Sequence, residues 1–189
     1  MNEPITIIFN AVVNFALIIC FLRFMFQFAE IDPKHPYAKV TYMLSAVVTL
    51  FGRIFPDLGK GRFSTSAAVL MLLLTFIKIA GMASILGRPM SPLVLFFSGS
   101  LTAILSLIDM FQYIVFASII LSWVIMLFQV MHPLIELIMQ MAEPIIAPFR
   151  KITPNLGMLD FSVLVAILVL ALLEIGIRIV GGNILSALM

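Results

Sequence analysis

The sequence predicts an all-α membrane protein with four transmembrane helices arranged as two parallel repeats. Each repeat reads as a span, an amphipathic interfacial helix and a second span. Three observations predict this: an apolar composition, apolar segments long enough to cross a bilayer, and residue pairs that recur about half a chain apart. Of the 189 residues, 63% are hydrophobic and 11% charged, with a mean hydropathy of +1.22. Soluble domains carry about 25% charged residues and roughly half apolar ones. A net charge of +2, with no basic stripe interleaved with aromatics, argues against a nucleic-acid partner. Cys20 is the single cysteine, which excludes an intramolecular disulfide and a cysteine-pair metal site.

The first span is expected over residues 5–28, long enough for a hydrocarbon core of about 30 Å with some tilt. No basic region precedes it and no small-residue cleavage site follows promptly, so it reads as a retained span rather than a signal peptide. Arg23, near its end, can snorkel toward the interface. The next stretch, EIDPKHPYAK, is polar and punctuated by prolines, hence a loop. Over residues 37–55, Lys39, Tyr42, Ser45, Thr49 and Arg53 recur three or four apart and form one polar stripe. A segment of this pattern lies on a membrane rather than through it. The second span is expected over residues 63–86, opened by the capping types Ser64, Thr65 and Ser66.

Residues 93–130 are apolar throughout, too long for one straight span, and Ser98, Gly99 and Ser100 interrupt them. The expectation is a shallow or re-entrant linker helix over 93–107 and a third span over 108–130. If the linker crossed the membrane fully, there would be five spans instead of four. Glu136, Gln140 and Glu143 mark the polar side of a second surface helix. Then comes AEPIIAPFRKITPNLGMLDFS, residues 142–162, with Pro144, Pro148 and Pro154. Proline removes a backbone donor and clashes with the preceding turn, so a short broken surface helix and a re-entering turn are expected. The fourth span follows over 161–180.

The repeat is read from matched residues. His35-Pro36 recurs as His132-Pro133, 97 positions on; Pro56 recurs as Pro154, Leu58-Gly59 as Leu156-Gly157 and Phe63-Ser64 as Phe161-Ser162, each 98 on. The expected divisions are a first repeat over 1–88, a linker over 89–107 and a second repeat over 108–189. Lys34, Lys39, Arg53, Lys60 and Arg62, with Arg150 and Lys151, put both surface elements on the cytoplasmic side; the other side offers mainly Arg88.

The run Ile120-Leu121-Ser122-Trp123, followed by EPIIAPFRKITPNLGMLDFS, resembles the YggT family of small bacterial membrane proteins. Glu143, Pro144, Pro148, Arg150, Lys151, Pro154, Gly157, Asp160 and Ser162 match the family pattern, while Met158 stands where a second glycine is usual. The first half is degenerate: it lacks the Glu-Pro pair and has Arg62 at the aspartate position. The resemblance implies a multi-pass protein of the bacterial inner membrane, linked to osmotic or ion-stress tolerance or to assembly of a membrane complex. It implies no enzymatic reaction and no cofactor. Partners are the lipid bilayer and membrane proteins of unnamed identity, with homo-oligomerisation left open.

Each candidate residue has a plain structural reading beside a functional one. Asp160 and the Glu143-Pro144 pair suit helix starts, where a carboxylate meets free N–H groups and the positive dipole end; the alternative is partner contact. Arg150 and Lys151 either report topology or attract anionic lipid headgroups. Lys78, Asp109, Glu174 and Arg178 lie inside apolar segments, where unpaired charge is expensive, so they are expected to face one another in the bundle. A Lys78–Glu174 pair, with Arg178 or Asp109 as further partners, serves either as a lock between halves or as part of an ion or proton path. His35 and His132 occupy matching positions but lack the flanking ligands of a haem site. Scattered methionines read as adaptable packing.

Overall fold

The computed structural model describes residues 3–55, 57, 62–88, 90–153 and 161–188. Among them run seven helices: α1 (Glu3–Phe28), α2 (Pro36–Leu44), α3 (Ala46–Phe51), α4 (Thr65–Ile85), α5 (Pro92–Phe128), α6 (Pro133–Arg150) and α7 (Phe161–Leu188). Four of these, α1, α4, α5 and α7, are long and apolar enough to cross a membrane. Only 11% of the most apolar window of each span is buried inside the protein. Contact within the chain therefore cannot account for so apolar a composition, and the exposed faces require hydrocarbon around them.

Local chemistry sets the helix starts. The Ser64 hydroxyl accepts the Ala67 N–H ahead of α4, and the Ser91 hydroxyl accepts the Val94 N–H ahead of α5, whose first residue is Pro92. Both surface elements open on a His-Pro step. His35 precedes Pro36 in α2, and His132 precedes Pro133 in α6, where its ring accepts the Leu134 N–H at 3.2 Å. The first surface element is split at Ser45, whose hydroxyl bonds the Thr41 carbonyl at 2.6 Å, into two short helices.

Side-chain register fixes the packing. Asn10 meets Met82 and Asn14 meets Lys78, four residues forward on one helix and four back on the other, so α1 and α4 are antiparallel. Helix α4 packs on α5, where the Phe76 and Phe96 rings stack at 6.0 Å. Helix α7 packs on α5 through Gln112 and Glu174 near its middle and through Leu101 and Gly181 nearer the α5 start, again antiparallel. A Cβ at Gly99 would collide with the Phe76 ring, and one at Gly181 with Leu101. Both contacts depend on a missing side chain, as close packing between spans in lipid does. The densest core lies where the α1 C-terminal half meets α2 and α6: Phe24, Met25, Phe26, Ala38, Leu137 and Met141 are all buried.

Two expectations need correction. First, residues 92–128 form a single 37-residue helix with no break at Ser98-Gly99-Ser100, and no separate linker helix exists. Ser98 folds its hydroxyl back on the Leu95 carbonyl at 3.2 Å, while Gly99 receives Phe76, so both residues serve the helix instead of interrupting it. The helix is about 55 Å long, far beyond the apolar thickness. The excess lies at the other end. Phe21 of α1 meets Phe111 of α5 at 6.0 Å between ring centroids, so α5 runs about 15 Å past the level where α1 stops. Residues 118–128 project there, and α6 folds back along them.

Second, α6 continues unbroken to Arg150 through Pro144 and Pro148. The two prolines leave the carbonyls of residues 140 and 144 without helical donors. Those positions lie on the outward side, since Met141, Ala142, Ile145 and Ile146 are buried while Glu143 and Pro148 are exposed. Freed carbonyls on that side meet water or headgroups, and the packed inner face holds the helix together.

Candidate functional site

Four of the motif residues, Ser122, Trp123, Glu143 and Arg150, converge on one pocket, while Pro144, Pro148, Lys151 and Ser162 do not line it. Helix α5 contributes Ser118, Ser122 and Trp123 from its projecting end; α6 contributes Ala142, Glu143, Ile146 and Arg150; and α7 contributes Val163 and Leu164. The cavity measures about 840 Å³, within the range of small-ligand and peptide-anchor pockets. Trp123 is 56% exposed along its wall. Both serine hydroxyls turn back on their own helix, Ser118 to the Val115 carbonyl and Ser122 to the Ile119 carbonyl, each at 2.7 Å.

Across the pocket, Arg150 Nη1 donates to both Glu143 carboxylate oxygens, at 2.6 and 2.8 Å. Seven residues separate the two, so they share one face of α6 two turns apart. Glu143 and Pro144 thus sit within α6, nine or more residues past its start, and the expected helix-opening role does not hold. The carboxylate instead faces the cation at the other end of its motif. Both side chains are about half exposed (45% and 51%), so the pair is worth at most about 1 kcal/mol to folding. Its value lies in presenting both charges at fixed positions on an otherwise apolar wall. Lys151 follows as the residue that ends α6. Pro154, Gly157 and Asp160 lie outside the described residues.

The intramembrane charges divide into two groups. Lys78 Nζ donates to Asn14 Oδ1 at 2.8 Å, linking α4 to α1. Glu174 is bound within α7 by Arg178 at 2.6 Å and across to α5 by Gln112 at 3.1 Å. Asp109, one turn before Gln112, lies within Coulombic range of both Glu174 and Arg178. The expected Lys78–Glu174 pair does not form, because α4 and α7 lie on different sides of α5 and have few contacts with each other. Two amides of matching type do the pairing: Gln112 stands 98 positions after Asn14. An amide both donates and accepts, so it can serve an ammonium in one place and a carboxylate in the other.

Contacts at the end of the bundle shared by the α1 C-terminus and α2 were not legible beforehand. The Arg23 guanidinium does not snorkel outward but stacks over Tyr42, 3.7 Å from the ring centroid, with Nε and Nη1 buried. Gln27 bonds Asp57 at 2.7 Å, and Arg62 pairs with Glu30 at 2.6 Å. The Tyr37 ring stands between the two histidines, 5.8 Å from His35 and 6.5 Å from His132, joining α2 to the start of α6. Only the polar stripe of residues 37–55 hinted that Tyr42 would face α1.

The CCB3/YggT family model matches residues 97–180, which carry the whole pocket. YggT of Escherichia coli K12 is 24% identical over 177 residues, covering 93% of this chain and 89% of that protein. An uncharacterized protein of Pseudomonas aeruginosa is 28% identical over 177 residues, covering 92% and 88%. An uncharacterized protein from the proC 3′ region of Vibrio alginolyticus is 30% identical over 153 residues, covering 79% and 80%. No solved structure matches the chain. With a family match across its second half and relatives that align along most of its length, the chain belongs to the YggT family.

Proposed function

We propose that this is a non-enzymatic integral protein of the bacterial inner membrane that acts by binding a protein partner at the α5–α6–α7 pocket. Through that partner it supports osmotic or ion-stress tolerance or the assembly of a membrane complex. The observation that carries the reading is the convergence of Ser122, Trp123, Glu143 and Arg150 on one open cavity, although 20 or more residues separate the first pair from the second. An exposed tryptophan and an arginine held by a carboxylate are the residue types that dominate binding energy at interfaces. The serine hydroxyls are tied to helix carbonyls and the carboxylate to Arg150, an arrangement that suits a contact surface better than a reaction centre. Apolar helices rather than a barrel favour the inner membrane, and the basic residues around α2, α3 and α6 favour their facing the cytoplasm.

The test is affinity purification of the tagged full-length protein from native membranes. Wild type is expected to bring a partner with it. Trp123→Ala and the double variant Glu143→Ala/Arg150→Ala are expected to lose it about tenfold or more while inserting normally. Equal recovery with all three would sink the reading. A small channel or transport subunit is the second reading, favoured by the polar groups inside the spans. Reconstitution of the purified chain alone in liposomes separates the two: a partner-binding protein leaves ion flux unchanged, and a channel raises it.

A further inference from the structure

A second cavity, distinct from the motif pocket, lies between α1, α4 and α5 and measures about 530 Å³. Its polar groups are unevenly used. Thr75 bonds a carbonyl of its own helix, Met71 at 2.8 Å, as Ser98, Ser118 and Ser122 do on α5. Ser100 and Ser106 do not; their hydroxyls line the cavity with no partner among the described residues. Lys78 also lines it. Its ammonium has three donors, of which Asn14 takes one. No carboxylate among the described residues lies within ion-pair distance of it. A cation at this depth without a counter-charge is expensive.

The register gives the cavity two unlike ends. Helices α1 and α5 run one way and α4 the other, so Asn14, Lys78 and Ser100 gather at the end nearer the α4 C-terminus. Leu72, Leu107 and Met110 lie toward the opposite end, which Ala68 closes. From Lys78 to Ala68 the cleft is about 15 Å long.

We infer that this cleft binds a monoanionic amphiphile of the fatty-acid class, its carboxylate on Lys78, Asn14 and Ser100 and its chain along Leu72, Leu107 and Met110. One ammonium compensates one negative charge, which favours a carboxylate over a dianionic phosphate ester. The head sits about 10 Å inside the α4 C-terminus, below headgroup level, and the cleft carries the tail through the bilayer centre toward Ala68. A single-chain acid held between the spans can adopt that placement, whereas a two-chain lipid anchored at headgroup level cannot. Entry is sideways from the lipid, between spans that are mostly exposed.

The test is equilibrium binding of radiolabelled decanoate to the full-length protein in nanodiscs of zwitterionic lipid, against protein-free discs. One saturable site per chain is expected. Lys78→Met should weaken it about 10- to 100-fold and Ser100→Ala about 2- to 10-fold, the worth of a charged and a neutral hydrogen bond. Ser100→Ala removes a single oxygen and leaves the fold intact, so the test survives if Lys78→Met inserts poorly. Decanol and decyltrimethylammonium should not compete, and acetate should compete only at far higher concentration. Unchanged binding in both variants overturns the inference. So does equal competition by decanol, or by acetate, which would make the cavity a greasy groove or a small-anion site. Partner capture at the motif pocket is read from different residues, so neither outcome depends on the other.

Discussion

At the scale of single residues, the membrane turns each polar side chain into a demand for a partner. Lys78 meets part of that demand with Asn14, and Glu174 meets its own with Arg178 and Gln112. A thermal-stability double-mutant cycle on the purified protein distinguishes these pairs from the one the charges alone suggest. Asn14→Leu and Lys78→Met should couple by about 0.6 kcal/mol, with about 1.7 kcal/mol as the upper bound. Lys78→Met and Glu174→Gln should be additive within about 0.5 kcal/mol. Coupling of the second pair but not the first would contradict the described geometry. That these residues needed partners was legible in the sequence. Which partner each would find was not, because opposite sign suggests attraction, and only the order of helices around α5 shows that Lys78 and Glu174 face different neighbours.

Among the elements, α5 and α6 depart most from a local reading. Serines and a glycine at 98–100 look like an interruption, and prolines at 144 and 148 look like breaks. Both helices continue, because what happens at such residues depends on their surroundings: a neighbouring ring fills the space over Gly99, and the carbonyls freed by Pro144 and Pro148 lie on the open side. Continuity of α5 can be measured directly. Spin labels at Phe96→Cys and Leu127→Cys, in a Cys20→Ala background, should lie about 46 Å apart by pulsed dipolar spectroscopy, the length of an uninterrupted helix. A separate linker folded against the span would give a much shorter distance. Elements whose signals are local were readable in advance. The His-Pro starts of α2 and α6, the Ser64 cap of α4 and the four spans all follow from residues within a turn or two of the feature.

For the molecule as a whole, α5 is the common neighbour of α4, α6 and α7, and its projecting end forms one wall of the motif pocket. The surface helices lie at the end shared by the α1 C-terminus and the α4 and α7 starts. The charge bias supports the proposal that this end faces the cytoplasm. Cysteine accessibility in intact cells and inverted vesicles, again in the Cys20→Ala background, tests this. Met43→Cys and Lys151→Cys should label only from the cytoplasmic side, and Gly87→Cys, at the α4–α5 turn, only from outside. Labelling of Met43→Cys and Lys151→Cys from opposite sides would place the two surface elements on different faces and end the common-face arrangement.

By itself the sequence determined the class of protein, its four apolar stretches, the amphipathic segments between them and the family, because hydropathy, helical periodicity and motif spacing are properties of adjacent residues. Tertiary structure alone decided that residues 92–128 form one helix, that Glu143 pairs with Arg150 rather than opening a helix, and that Lys78 turns to Asn14 beside a cleft between α1, α4 and α5. The physical reason is the same each time. Whether a proline breaks a helix, a glycine interrupts one or a charge finds its counterpart depends on what stands on the other side of the residue, and neighbouring helices put it there.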